Sequence, residues 1–148
     1  METLNLPAYE FTIRLNAGRR VILDTLRGKF VPLTPEEWVR QHFVQYLIHE
    51  FQVPQPLIAL EMAFPFQNTH YRADVVVYSR AMKPVMIVEC KRPSVKINQQ
   101  TFNQIGVYNK VIRARYLVVT NGLQHYCCRV QDEQMDFVTQ IPNYSSMV

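Results

Sequence analysis

Three charged residues near the middle of the chain could do hydrolytic chemistry together. Asp74 opens the run Asp74-Val75-Val76-Val77-Tyr78, and Glu89 and Lys91 close the run Val85-Met86-Ile87-Val88-Glu89-Cys90-Lys91. Apolar, β-branched runs of this kind suit strands covered on both faces. Charges rarely enter such strands unless they are paired or bind something. A turn centred between Ala81 and Met82 pairs Arg80 with Lys83, Ser79 with Pro84 and Asp74 with Glu89. Directly opposed Cβ atoms lie roughly 4.5–5.5 Å apart. Glu89 and Lys91 point the same way, so in this register Asp74, Glu89 and Lys91 share one face. Opposed carboxylates repel, which raises the pKa of at least one of them. One or two carboxylates completed by water and phosphate oxygens describe a Mg²⁺ site.

The flanking sequence supplies elements to position these groups. Thr34-Pro35-Glu36-Glu37 is a helix start, with Thr34 as cap and Pro35 at the first helical position. The helix should run to about Phe51 and stop before Pro54. Val39, Phe43, Tyr46, Leu47 and Glu50 recur at helical spacing, so Glu50 prolongs an apolar stripe. Leu57–Phe64 reads as a first main strand ended by Pro65. Glu61, which interrupts it, is equally readable as support for the site or as an outward-facing residue. A second helix should start at Asn98 or Thr101 and run to about Arg113. Gln104 and Tyr108 share one of its faces, and Phe102, Ile105 and Ile112 form an apolar stripe. Gly106, mid-helix, costs about 1 kcal/mol relative to Ala, which close packing against the sheet would explain. Arg115–Thr120 and Leu123–Val130 are further strands, and Cys127 and Cys128 are small core residues. Gln131–Asp136 reads as a polar turn before a short closing segment.

Asp74 followed by Glu89-x-Lys91 on the next strand resembles the PD-(D/E)xK nuclease superfamily, although Tyr71-Arg72-Ala73 precedes Asp74 and the Pro of that name is absent. Glu89-Cys90-Lys91-Arg92-Pro93, Gln104-Ile105-Gly106-Val107-Tyr108 and Thr120-Asn121-Gly122 resemble more closely the nuclease domain at the N-terminus of type I restriction enzyme R subunits. The resemblance reaches from the first strands to about Arg129. It implies an α/β, restriction-endonuclease-like three-layer core, with a central mixed sheet flanked by helices. It further implies a metal-dependent DNA endonuclease that uses Mg²⁺, with Mn²⁺ able to substitute. In that scheme Asp74, Glu89 and the Cys90 carbonyl hold the metal, and Lys91 holds or deprotonates the attacking water. Glu50 faces the cleft as a third acidic group, holding a second metal or tuning the first. Gln104 and Tyr108 orient Lys91 or contact the nucleic acid near the cut. Arg92, Lys96, Lys110, Arg113 and Arg115 are the candidate phosphate contacts.

Composition is compatible with this. A chain of 148 residues, 48% hydrophobic and 19% charged, suits one folded domain. A hairpin extension at about 10–23 precedes a core at about 34–130. The net charge of +4 permits a polyanionic partner. Three cysteines, two of them adjacent, give no disulfide framework and no CxxC pair, as expected of a reducing cytoplasm. The sequence has neither a secretory signal at its start nor an apolar run long enough to span a membrane. It carries no GxxxxGK[ST] phosphate loop, so the expectation is that it works with a separate motor or specificity subunit, acts on particular DNA structures, or cuts weakly and nonspecifically. DNA is the expected partner, and a homodimer is compatible with the reading. The competing reading is a non-catalytic nucleic-acid-binding or assembly module that keeps the fold.

Overall fold

The computed structural model describes all 148 residues. In chain order they form β1 (Ile13–Asn16), β2 (Arg19–Asp24), β3 (Lys29–Pro32), α1 (Pro35–Glu50), β4 (Ile58–Phe66), β5 (Thr69–Tyr78) and β6 (Pro84–Cys90). They continue with α2 (Gln99–Ile112), β7 (Tyr116–Thr120), β8 (His125–Gln131), β9 (Gln134–Val138) and α3 (Tyr144–Met147). Strands β4 to β9 make one six-stranded sheet in sequence order. Only β6 and β7 run parallel, and α2 is the connection between them. This is the expected α/β core.

The helices cover opposite faces. On one side Val39, Phe43, Val44 and Leu47 of α1 pack with Val75, Val77, Met86, Val88, Cys90 and Val118. On the other, Phe102, Ile105 and Ile112 of α2 pack with Ala73, Val76, Ile87, Leu117, Val119 and Cys128. Both helix starts are capped as their sequences suggest. Thr34 Oγ1 accepts from the Glu37 amide at 3.0 Å, and Asn98 Oδ1 accepts from the Thr101 amide at 3.2 Å. The three cysteines are free and buried. No helix is long and apolar enough to cross a membrane.

Several expectations need correction. The N-terminal extension is more than the expected hairpin. It is a separate three-stranded sheet, because the connector after Asp24 contains β3. β4 does not stop before Pro65 but carries it, paired with His70. A proline is tolerated there because β4 is an edge strand. Beyond β8, the expected polar turn narrows to Asp132 and Glu133, both at positive φ, and the chain returns as β9. Gly106 makes room for that strand: a Cβ there would lie 3.2 Å from the Met135 sulfur.

The turn between β5 and β6 also differs. The Ser79 amide donates to the Lys83 carbonyl and the Met82 amide to the Ser79 carbonyl, with Met82 at φ +60°. This is a three-residue loop, a turn followed by one left-handed residue. Pro84 therefore pairs with Tyr78 rather than Ser79, and the register then shifts so that Val77 pairs with Met86. The irregularity at Val85 cancels the offset of the turn. Val75 consequently opposes Val88, the register that brings Asp74 and Glu89 level.

The strand alternation breaks at Asp74. Val75 and Val77 face α1, and Val76 faces α2, as alternation requires. Ala73 and Tyr71 should then face α1, yet both lie in the α2 cluster. The partner strand flips with them, since Leu60 packs on the α1 side and Phe64 on the α2 side. Glu61, which lies between them, has φ +51°, a conformation that costs about 1–2 kcal/mol for an L residue. The outer half of the β4–β5 hairpin thus turns over onto α2, and Asp74 and Glu61 sit at the twist.

The segment Thr120-Asn121-Gly122 fixes the exit of β6. The Thr120 carbonyl accepts the Lys91 amide at 2.8 Å, and the Asn121 side-chain amide donates to the Val95 carbonyl at 2.8 Å. Gly122 has φ +85°, and a Cβ there would come within 2.8 Å of Leu4 and 3.0 Å of Val39. Gly122→Ala should therefore destabilise the fold by about 1–3 kcal/mol. Thermal melting should show a Tm at least about 3 °C lower, and an unchanged Tm would contradict this packing.

Candidate active site

Asp74 is held from two directions. The ladder between β5 and β6 ends at Val75 and Val88. Beyond that point the Cys90 amide donates to Asp74 Oδ2 at 2.7 Å. From α1, Arg40 Nη2 donates to Asp74 Oδ1 at 3.4 Å. Burial, followed by the negative charge of Glu89, pushes the Asp74 carboxyl up to about 7, while the Cys90 amide and Arg40 pull the other way.

Glu89 is held on the α2 side. Tyr71 Oη donates to Glu89 Oε2 at 3.0 Å, and Lys91 Nζ lies 3.3 Å from Glu89 Oε1. Tyr71 is itself stacked on Tyr108 of α2, with ring centroids 4.1 Å apart and 12° between planes. Phe66 closes the edge of that stack at 4.8 Å from Tyr108. Burial and the adjacent Glu89 push the Tyr71 phenol well up, so it stays a donor to the carboxylate. The Lys91 side chain remains 35% exposed and can reach a ligand from solvent.

Behind Asp74 is a network of buried charge. Arg40, 5% exposed, donates through Nη1 to Glu37 at 3.0 Å and through Nη2 to Glu36 at 3.1 Å. Its Nη1 also lies 3.5 Å from Glu61 Oε1, and its Nε has no partner. Arg27 donates to Asp24, to Glu37 at 3.0 Å and to Glu61 at 2.7 Å. Gln41 bridges Asp24 and Glu37 at 3.0 Å each. Burial opposes the charge of Arg40, but Glu37 and Asp74 outweigh it and raise its pKa. Five carboxylates thus share two guanidinium groups, which leaves a local excess of negative charge.

A family model described as the type I restriction enzyme R protein N terminus (HSDR_N) matches residues 35–142. The chain belongs to this family. The matched stretch runs from α1 through β9 and contains Asp74, Glu89, Lys91 and the network on α1. Among solved structures, the R-protein N-terminal domain seen here is similar to a fragment assigned as an HsdR subunit of a type I restriction enzyme from Vibrio vulnificus, with a TM-score of 0.58 and 16% identity. That likeness covers 78% of this chain and 24% of the other, so the chain spans about a quarter of the solved chain's length. At this identity it speaks for the fold. No curated protein matches the sequence.

The residues singled out in the sequence scatter more widely than their motifs suggested. Asp74, from the middle of β5, comes together with Glu89, Cys90 and Lys91 at the end of β6, where the two strands part. Asp74 and Glu89 are not a simple opposed pair on one face, because the twist at Asp74 turns its carboxylate toward α1 while Glu89 meets Tyr71. Tyr108 joins the site through Tyr71. Gln104 is exposed on α2. Glu50 does not face the cleft: it is exposed at the far end of α1, ten residues past Arg40 and so about 15 Å along the helix. The acidic groups that α1 brings to Asp74 are Glu36 and Glu37, at its start. Arg92 and Lys96 lie exposed on the turn after Lys91. Lys110, Arg113 and Arg115 instead line a cavity of about 570 Å³ between the end of α2 and the β8–β9 turn. The Arg115 amide bonds the Val85 carbonyl, four residues before Glu89 and so about 13 Å away along β6.

Tyr71, Arg40, Glu36, Glu37 and Arg27 were missed as site residues. Arg40 had a legible signal in its spacing of three and four from Glu37 and Glu36. Tyr71 had none, since regular alternation puts it on the face opposite Glu89.

The raised Asp74 carboxyl has a stability consequence with a definite sign. In the unfolded chain it ionises near its ordinary value of 3.8, and in the folded chain only near 7. Between these values the folded state binds more protons, so stability falls as pH rises. Asp74→Asn removes this dependence. Metal-free wild type should lose stability relative to that variant between pH 4 and 7, by roughly 4 kcal/mol at most. Denaturant melts of both proteins across that range measure the difference, and parallel curves would contradict it.

Proposed function

We propose that this domain is a metal-dependent DNA endonuclease that hydrolyses phosphodiester bonds, with Mg²⁺ as its cofactor and Mn²⁺ able to substitute. The observation that carries the reading is the meeting of Asp74, Glu89 and Lys91 where β5 and β6 part. The donors fit a hard divalent cation: two carboxylates, of which Asp74 is raised by burial and then by the charge of Glu89, beside a local excess of acid. Asp74, Glu89 and the Cys90 carbonyl would hold it. No group of three or more Asp, Glu, His or Cys side chains is gathered for a metal. The remaining positions therefore fall to water and substrate phosphate, as is usual for Mg²⁺. Such a cation polarises the scissile phosphate and lowers the pKa of a bound water.

The chain's own residues then have distinct tasks. The Cys90 amide and Arg40 orient Asp74, and Tyr71, backed by Tyr108, orients Glu89. Lys91 holds the attacking water and stabilises the charge that develops on the phosphate. Arg92 and Lys96, on the adjoining turn, contact backbone phosphates near the cut. Gln104 is free on its helix for a similar contact. Glu50 has no part in this scheme. A separate motor or specificity subunit of a type I system is the partner class implied.

One observation favours a non-catalytic module instead. Every oxygen of Asp74 and Glu89 already has a donor or cation within the protein. Incubation with linear, circular, single-stranded and branched DNA, with and without Mg²⁺ or Mn²⁺, separates the two readings. The nuclease reading expects metal-dependent cleavage of at least one substrate. Asp74→Ala, Glu89→Ala and Lys91→Ala should each lower its rate by 100-fold or more. Undiminished cutting by the Glu89→Ala or Lys91→Ala protein would contradict the assignment, and DNA binding without cleavage would favour the module.

A further inference from the structure

The β1–β2 hairpin stands away from the body of the protein. All four residues of β1 are exposed, as are Arg19 and Arg20 at the start of β2. Ala17 and Gly18 turn the chain at positive φ, and burial begins only at Ile22. The base of the hairpin is firmly held. Ile22 and Asp24 are fully buried, and Asp24 accepts from Arg27 and Gln41. From Asp24 to the tip at Arg19 is about 17 Å.

The exposed part carries one sign of charge. No Asp or Glu occurs between Phe11 and Leu23, while Arg14, Arg19 and Arg20 lie in that stretch and Lys29 follows on β3. None of these four cations has a carboxylate within 4.0 Å, whereas Arg27 and Arg40 in the neighbouring body are both ion-paired. The Arg14 guanidinium lies 3.9 Å above the centre of the Phe30 ring, which restrains it without neutralising it. Leu15 is 73% exposed and pairs with Arg20, an apolar side chain the fold leaves in water.

The root of the hairpin lies beside the carboxylates. Arg27, on the turn after β2, and Arg40, which bonds Asp74, both donate to Glu37 Oε1. Unpaired guanidinium groups match phosphate oxygens bidentately, and a two-stranded ribbon has the width of a duplex groove. We propose that the β1–β2 hairpin is a basic arm that grips the phosphate backbone of duplex DNA and lays it across the site containing Asp74 and Glu89. The choice of polyanion rests on the nuclease reading. The arm would hold DNA by its charge before any chemistry, and independently of the cations that follow Lys91.

Labelled duplex DNA, titrated with the full chain in a chelator at several salt concentrations, tests this apart from cleavage. The Arg14→Gln/Arg19→Gln/Arg20→Gln protein is compared with wild type. A control with the same charge change, Arg80→Gln/Lys83→Gln/Arg129→Gln, alters exposed residues away from the carboxylates, and thermal melts confirm that both variants fold. The arm variant should bind at least tenfold more weakly at about 0.1 M salt. Its plot of log affinity against log salt should flatten by about 0.9 for each phosphate that the arm no longer neutralises. The control should stay within about threefold of wild type. Equal losses in both variants, an unchanged arm variant, or wild type that binds no duplex would overturn the proposal. An unchanged arm variant is also the result expected if an acidic protein occupies the arm. Cleavage by the same proteins with Mg²⁺ keeps the readings separate. Wild-type cutting with unimpaired binding by the arm variant removes the arm alone, whereas an arm-specific binding loss without cutting removes the nuclease alone.

Discussion

The way Asp74 is held sets the arrangement of everything around it. Its carboxylate takes the Cys90 amide, a group that a regular ladder would have given to backbone. The two strands therefore separate at that point, and the side chains of Glu89 and Lys91 emerge at the opening. The same step turns the outer β4–β5 hairpin over, so that Tyr71 reaches Glu89 and Tyr108 backs Tyr71. A single irregularity in one strand thus delivers groups from both faces of the sheet to one place.

Maintaining this requires buried charge and strain. Glu61 adopts a left-handed conformation in a strand, Arg40 keeps an unpartnered Nε, and five carboxylates crowd two guanidinium groups. Replacing buried ion pairs with apolar residues is often neutral or stabilising, so stability alone does not account for such a network. Strain and uncompensated charge concentrate where a site needs them. A negative excess beside an accessible strand end is the electrostatic condition a divalent cation would relieve. The same network joins the N-terminal sheet, α1, β4 and β5, so the position of the basic hairpin is tied to the position of Asp74.

Much of this was legible in the sequence. The β-branched runs, the Thr34 and Asn98 caps and the apolar stripe of α2 gave the layers and their order. Asp74, Glu89 and Lys91 stood out because they interrupt apolar strands. The level of Asp74 with Glu89 came out as expected although the turn did not, because the irregularity at Val85 absorbs the offset of a three-residue loop. Periodicity could not show the twist at Asp74, since it assumes strict alternation, and with it went the role of Tyr71. Glu50 misled for a related reason: its helical stripe is real, but a stripe does not say which end of the helix meets the strand. Arg113 and Arg115 are basic and near the motifs in sequence, yet the strand direction carries them to the opposite end of the sheet.

On the proposed reading, Asp74 and Glu89 together bind a divalent cation where their strands part. Calorimetric titration of Mg²⁺ into wild type and into Glu89→Ala at neutral pH tests it most directly. Wild type should show a saturable binding event that weakens by tenfold or more in the variant. Indistinguishable titrations of the two proteins would contradict it.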